Sequence, residues 1–511
     1  YPKGISLILI CLGLFLAVLC TGLDRLILAT AIPKITSEFS SLPDIGWYGS
    51  AYLLTSCCFQ LMYGKLYAEY NVKSLFVVAL LIFEVGSVLC AAAPSSPVLI
   101  LGRAVAGLGS SGLLTGALTI LAHISPLHNR PKMLGAVGSA IGIAQIVAPT
   151  LGGVFTDYAT WRWCFWINLP IGGVTFLVVV FLVHLPSSAK AKKPSKEDAA
   201  APPQSVWQKF DLLGTVFLVP ALVCLLLALQ WGGTAYPWNS WRVILTLTLF
   251  SVCFVVWGCI QYRAGDKATV PMRIVSMRSM QCAMWFIFCV TSVLFVVVNF
   301  VPLWFQAVKN VSAHQSGINF LATTVSLSVL AVLSGFLTSR IGYYVPQMIG
   351  CTVLVSVGAG LITRFGVDTS QGYWIGTLVL FGLGIGMGGQ TPVMVPQTVL
   401  TGGDISRGTS VIIFAQTISG TIWVSVANTI FQDGIIAELA IHAPTANPNV
   451  VVAAGGNGFV EAMRRVYPDM VDQIVLSYSL ALQRVWIIAV VLACVSTFGA
   501  VFQEWRSVKK K

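Results

Sequence analysis

The polar breaks in this chain are short and the apolar runs between them are long. About twenty consecutive apolar residues cross a bilayer core as a helix. Runs of that size are centred near 5–32, 45–64, 75–93, 98–124, 132–156, 162–185, 211–232, 239–262, 281–306, 316–338, 346–366, 372–396, 408–432 and 480–503, which predicts fourteen spans. An even number puts both ends of the chain on one side. With the N-terminus inside, twenty of the thirty Lys and Arg residues fall in inside loops and seven outside, and Arg25, Arg103 and Arg484 lie within or beside spans. That bias predicts cytoplasmic termini.

Two loops interrupt the pattern. Residues 186–210 are rich in Lys, Ser, Ala and Pro and read as a flexible cytoplasmic linker. Residues 434–479 lie outside, and the spacing of Phe459, Met463 and Val466 predicts a short amphipathic helix there, a lid or packing element. Six spans precede the linker, six follow Met280, and an extra pair (211–262) lies between. The expected architecture is an all-α integral membrane protein: an N-terminal six-helix bundle (1–185), a linker with two extra transmembrane helices (186–280), and a C-terminal six-helix bundle (281–511) carrying the 434–479 loop. The first run is too long for a signal-peptide core. The chain opens at Tyr1 rather than Met, so further sequence is expected before it.

Composition agrees with a lipid-embedded chain. It is 56% hydrophobic and 9% charged, against roughly 45–50% and 25% in soluble domains. The net charge of +12 could suggest nucleic acid, but the basic residues sit in short loops rather than along one face, which argues against that partner. The thirteen cysteines lie nearly all inside apolar runs, where they read as small hydrophobes.

The fifth run is crowded with small residues: Gly138, Gly142, Ala144, Ala148, Gly152 and Gly153. Small residues four apart let helix backbones approach closely. Pro149 within it removes the backbone bond to the Gln145 carbonyl and is expected to kink the span. Close packing with a kink suits a moving transporter better than an inert anchor.

An ionised side chain at mid-bilayer costs at least about 2.5–3.5 kcal/mol, which makes buried charges functional candidates. Asp24, Glu84 and Arg103 are the three candidates for proton coupling. A carboxyl group in a low-dielectric cavity can take up and release a proton near neutrality, which suits Asp24 to carry one; a structural ion pair with Arg25 or a loop end is the alternative. Glu84 reads as a proton-coupling group or a helix-packing hydrogen-bond partner. Arg103 cannot itself deprotonate, and would tune the site or brace loop carbonyls near the membrane surface. Among neutral groups, Gln60, Gln145, Asn299, Gln390, Gln416 and Asn428 interrupt apolar spans, with Trp304, Phe305 and Trp423 near some of them. As a set, with Trp304 included, they suggest an amphipathic cavity for a bulky, mostly uncharged organic molecule. Gly107, Gly109 and Gly112 fit G-x-G-x-x-G, but inside an apolar helix that pattern serves close packing rather than a dinucleotide. No G-x-x-x-x-G-K-[ST] loop occurs, so ATP is not the expected energy source. No metal and no cofactor is expected.

The motifs resemble those of the fourteen-span drug:proton antiporters of the major facilitator superfamily, fungal toxin and secondary-metabolite efflux carriers in particular. Leu23, Asp24, Ala31 and Pro33 match the first-span motif, and Gly46 to Thr55 is similar to the fungal second span. Gly102, Arg103, Gly107 and Gly109 match the fourth-span arginine motif. Pro149, Gly152 and Gly153 match the fifth-span antiporter motif, followed by Trp161 to Phe165 and Ile167 to Pro170; Ala427 to Phe431 resembles a thirteenth-span stretch. The cytoplasmic loop motif falls on Gly64 to Lys73. There Gly64, Leu66 and Lys73 match, but Ala68 stands at the aspartate and Asn71 at the second glycine, and Glu69 could supply the missing charge to an inter-helix clasp. Before Pro149 the usual glycine is Ala148.

The resemblance implies a monomeric carrier of the major facilitator fold, with Pro149, Gly152, Gly153, Gly64 and Lys73 as conformational motif residues. It would expel bulky hydrophobic compounds against a proton gradient by alternating access, from the plasma membrane or from a vacuolar or vesicle membrane. Proton uptake at Asp24 and release of cargo would be mutually exclusive states of one cavity. An importer of a siderophore or nutrient would share the fold. A receptor would need long signalling tails, and an enzyme a clustered catalytic set; the five histidines (His123, His128, His184, His314, His442) are dispersed.

Overall fold

The computed structural model describes residues 4–39, 41, 44–183, 211–233, 236–453, 455 and 458–509; the expected 186–210 linker lies outside them. Apolar runs in lipid must satisfy their backbone groups internally, and the long ones here all do so as helices. They are α1 Ile5–Phe39, α2 Ile45–Glu69, α3 Val72–Ala91, α4 Ser96–Ile124, α5 Arg130–Tyr158, α6 Asn168–Leu182, α7 Leu212–Trp231, α8 Trp241–Ala264, α9 Arg278–Ala307, α10 Ala313–Ile341, α11 Val345–Ile362, α12 Gln371–Gly388, α13 Asp404–His442 and α14 Val471–Val501. Among the described residues, thirteen stretches are long and apolar enough to cross a membrane. The remaining long helix, α2, is 25 residues but more polar. It packs against α4, α7 and α13, so protein rather than lipid surrounds much of it.

Local chemistry sets the helix ends. Asn71, at the position where the loop motif has a glycine, caps α3 by accepting from the backbone N–H groups of Lys73 and Ser74. Ser240 and Ser312 cap α8 and α10 in the same way. Gly342 ends α10 with φ 90°, and its N–H reaches the Thr338 carbonyl. Asp211 caps α7 and also accepts from Gln261 on α8 at 2.8 Å and from the Thr269 hydroxyl at 2.6 Å. That one carboxylate fastens α7 to α8 and to the segment leading into α9. Most of α8 is uncovered by protein and presents Leu245, Leu249, Val252 and Val255 outward, as a lipid-facing helix does.

Within residues 1–185, α1 packs on α4, α5 and α6, and α3 on α4 and α6. The G-x-G-x-x-G glycines are what allow α4 to sit so close to its neighbours. A Cβ at Gly107 would lie 2.2 Å from the Tyr52 carbonyl oxygen, and one at Gly109 would lie 2.4 Å from the Phe83 nitrogen. In residues 281–511, α9 packs on α13 and α14, α10 on α12, and α11 on α12 and α14. Two seams join these groups, α2 against α13 and α5 against α10. All thirteen cysteines are free thiols.

The loop between the last two spans is shorter than its apolar pattern suggested. Helix α13 continues to His442 and α14 begins at Val471, leaving residues 443–470 between them. The expected amphipathic helix spans Phe459–Val466. Phe459 and Met463 are buried, but Val466 is exposed, because the helix ends there and its last turn leaves the contact surface. Phe459 lies 4.8 Å from the ring of Tyr478, which lies 5.0 Å from that of Phe431. Phe459→Ala is therefore expected to cost about 3–5 kcal/mol, read as an earlier thermal unfolding midpoint of the purified protein; an unchanged midpoint would show that this loop packs only loosely.

Candidate functional site

A cavity of about 190 Å³ lies between the two seams. It is walled by α1, α2, α4 and α5 on one side and by α9, α10, α12 and α13 on the other. Gln60, Gln145, Gln390 and Gln416 line it, joined by Ser56, Ser110, Thr291 and Thr417 among apolar side chains. Gln60 is tethered by donating to the Thr115 hydroxyl. The other three cavity candidates lie elsewhere. Trp304 is fully buried, with its ring 5.0 Å from Phe305 and 4.7 Å from Phe365. Asn299 donates to the Phe295 carbonyl of its own helix at 2.7 Å, and Asn428 is not among the lining residues.

Small residues on α5 build one seam. A Cβ at Gly135 would lie 2.6 Å from the Ala331 carbonyl oxygen, and one at Gly142 would lie 2.1 Å from the Ser328 hydroxyl; across the seam, Gly335 faces the Pro131 carbonyl at 2.4 Å. The same helix face continues as Gln145, Pro149 and Gly153. There α5 and α10 have parted: Pro149 is exposed, and a Cβ on Gly153 would meet nothing within 4 Å. Gly152 belongs to another face, packed on Thr30 and Ile27 of α1. Pro149 thus sits where the covered half of α5 gives way to the uncovered half.

The polar contacts across and beside the seams gather at the end of the molecule that carries the most basic loops. Arg407 on α13 reaches Glu69 on α2 at 3.2 Å, and Asp404 pairs with Arg273 at 2.8 Å. Arg273 also reaches Asp266 at 2.5 Å, and the hydrogen bonds it donates to Asp266 and then to Asp404 raise its basicity. Arg130 donates to the Gln397 carbonyl at 3.1 Å, Ser339 to that of His128 at 2.5 Å, and Lys65 to that of Lys267 at 2.7 Å. Glu69 takes the place in this clasp left by Ala68. Gly64 lies beneath it, against Ser410. Lys73 takes no part across the seam and donates to the Val180 carbonyl on α6 at 2.7 Å.

The three charged candidates lie behind the cavity wall. Asp24 and Arg103 form an ion pair at 2.6 Å, both buried. Its partner is therefore Arg103 rather than the adjacent Arg25 or a loop end. Asp24 also accepts from Asn168 at 2.9 Å, and Asn168 lies 3.1 Å from Ser87. Arg103 donates to the Tyr48 carbonyl at 3.0 Å and lies over the Tyr52 ring at 4.4 Å, so its position is interior rather than at the surface. Glu84 on α3 crosses Gly172 of α6 with both carboxyl oxygens buried and without a hydrogen-bond partner. A Cβ at Gly172 would sit 1.7 Å from that carboxyl, so the glycine leaves room for Glu84 in its present position.

Trp161 and Arg162 hold the C-terminal end of α1, reaching Glu38 at 2.6 and 2.9 Å. Those hydrogen bonds, Arg162's first, keep the Glu38 carboxyl below its ordinary range. Two residues of the site were not singled out from sequence. Asn168 was visible only as part of the Ile167 to Pro170 motif. Arg25 lines the cavity, with its guanidinium 4.9 Å from the Phe295 ring, and sequence offered only its neighbour Asp24 as the charge of interest.

Comparisons with known proteins bear on this arrangement. The sequence profile of the Major Facilitator Superfamily matches residues 14–424. The efflux pump aflT of Aspergillus parasiticus is 46% identical over 512 residues, covering 99% of this chain and 97% of that protein. The efflux pump roqT of Penicillium rubens is 43% identical over 481 residues, covering 94% and 87%. The aspyridones efflux protein of Neocamarosporium betae is 44% identical over 510 residues, covering 100% and 89%. Among solved structures, the human organic anion transporter MFSD10 (TETRAN) matches with a TM-score of 0.61 at 13% identity, over 96% of this chain and 100% of that one. The proton:xylose symporter XylE matches with a TM-score of 0.57 at 14% identity, over 97% and 94%. The fold likeness persists where little sequence likeness is left, the sequence likeness runs nearly end to end, and helices from both ends of the chain wall one central cavity; the chain is a multi-pass membrane transporter that belongs to the major facilitator superfamily.

Proposed function

We propose that this chain expels bulky hydrophobic organic compounds of the secondary-metabolite or toxin class in exchange for protons, by alternating access. The observation that carries the reading is the cavity between two seams, clasped at one end by Glu69–Arg407 and its neighbours, with the opposite half of α5 uncovered from Pro149 onward. Rigid movement of residues 1–185 against 281–511 about those seams would open the clasped end and close the other. The α7–α8 pair, within 186–280, would ride on α2. Efflux-pump relatives matched over nearly the whole chain support the outward direction.

In this reading the clasped end and both termini face the cytoplasm, which the Lys and Arg bias supports, and the membrane is the plasma membrane. Asp24 is the proton carrier in this scheme, with Arg103 and Asn168 holding it between releases, and the buried Glu84 carboxyl is the second candidate. The working unit is a monomer, and the proton gradient is the energy source, with no cofactor. The test is expression in yeast deleted for its own export pumps. Lower cellular accumulation of hydrophobic toxins, reversed by a protonophore, is the expected result. Higher accumulation would point to the importer reading, and accumulation that ignores the protonophore would remove proton coupling.

A further inference from the structure

We infer that the central cavity selects organic anions: bulky, largely apolar molecules bearing a carboxylate or an ionised phenol or enol that docks on Arg25. The inference deepens the efflux reading and rests on it only for the movement of the ligand, not for its recognition. Among the described residues, Arg25 is the single charged one lining the cavity. Its guanidinium makes no hydrogen bond or ion pair with any described residue; the Phe295 ring lies 4.9 Å away, and Tyr52 lines the same cavity. Successive helical residues diverge by about 100°, so Asp24 points away from the cavity. Its charge is already taken by Arg103 at 2.6 Å and Asn168 at 2.9 Å. Glu84 lies behind α1 on the α3–α6 side. The cavity therefore holds one uncompensated positive charge.

A guanidinium removed from bulk water with its donors unused is costly until an anion arrives. It presents a planar fork of N–H groups that matches a carboxylate in two-point fashion. The rest of the lining suits the remainder of such a molecule. Leu26, Ile141 and Leu294 offer apolar contact, while Gln145, Gln390 and Gln416 can each donate to or accept from ring oxygens. A cationic ligand of the same size would meet Arg25 with no acid nearby to offset it, so the cavity rejects cations for the same reason that it holds anions.

The test uses the full chain in lipid nanodiscs and a matched pair of probes, pyrene-1-butyrate and its neutral amide, followed by tryptophan-to-pyrene energy transfer against empty nanodiscs. The acid is expected to bind at least about tenfold more tightly than the amide, a difference of roughly 1.4 kcal/mol. Arg25→Gln is expected to erase that preference by weakening the acid, and Arg25→Lys, which keeps the charge, to retain part of it. Both variants are compared with the parent by size-exclusion profile, so that misfolding is seen directly. Equal binding of acid and amide by the parent, binding of neither, or an acid preference that survives Arg25→Gln would overturn the inference. The yeast accumulation assay fails separately: a parent that prefers the acid yet exports nothing would sink the efflux reading and leave the anion site standing.

Discussion

Arg103→Ala is expected to destabilise the protein by about 3–5 kcal/mol, because it strands a buried carboxylate without its partner. The pair is enclosed, with Asp24 at 0% and Arg103 at 1% exposure, so water cannot replace the lost guanidinium. The same substitution also removes the donor to the Tyr48 carbonyl and the charge over the Tyr52 ring, which loosens α4 from α2 as well as from α1. Removing both charges with similar shapes, Asp24→Asn with Arg103→Met, is expected to recover most of the loss, since a buried ion pair adds little over a well-packed neutral pair. Thermal unfolding of the parent, Asp24→Asn, Arg103→Met and the double variant in one detergent reads the cycle.

The double variant also separates two roles for Asp24. If its carboxyl carries the exchanged proton, the stable Asp24→Asn/Arg103→Met protein loses pH-gradient-driven transport in proteoliposomes. If the pair only fixes α1 against α4, a protein that folds normally transports normally. Transport that still follows the pH gradient in the double variant would remove Asp24 from the coupling scheme.

The spans were legible because lipid imposes one rule on backbone groups, and long apolar runs record it directly. What faces what was harder to read. Hydropathy does not give the rotation of a helix within its bundle, and in lipid there is little contrast between an apolar inner face and an apolar outer face. Gln60, Gln145, Gln390 and Gln416 were found because an amide in an apolar run is anomalous on any face. Trp304 was misplaced because its ring packs as readily on Phe305 and Phe365 as on a ligand. Asp24 and Arg25 were not separable by position, and packing alone decides that Asp24 meets Arg103 while Arg25 meets the cavity. The Glu69–Arg407 pair joins residues 338 apart in sequence. Ala68 at the usual acidic position made Glu69 worth noticing, but nothing local pointed to Arg407.

Gly64→Val is expected to shift the carrier away from the clasped state by a factor of about 5–150, since overpacking costs about 1–3 kcal/mol and each 1.4 kcal/mol is tenfold. A Cβ at Gly64 would lie 1.9 Å from the Ser410 hydroxyl and 3.2 Å from the Ser406 carbonyl oxygen, so α2 and α13 cannot approach as they do here. In the state with this end open, the two helices are apart and the added methyl groups meet no such wall. The cost therefore falls on one state alone, which is the condition for a population shift. By contrast, Glu69→Gln removes an ion pair whose side chains remain partly exposed, and its effect is expected to stay within about 1 kcal/mol. The readout is disulfide formation between cysteines placed at Thr119 and Ser406, whose hydroxyls lie 3.4 Å apart across the seam, quantified by peptide mapping. Gly64→Val is expected to slow that cross-link about fivefold or more and to reduce export with it, while Glu69→Gln leaves the cross-link nearly as fast as in the parent. If Gly64→Val cross-links at the parental rate, the close approach of α2 and α13 is not what holds this end shut. If Glu69→Gln proves the slower of the two, the ion pair rather than the fit of the helices is the latch.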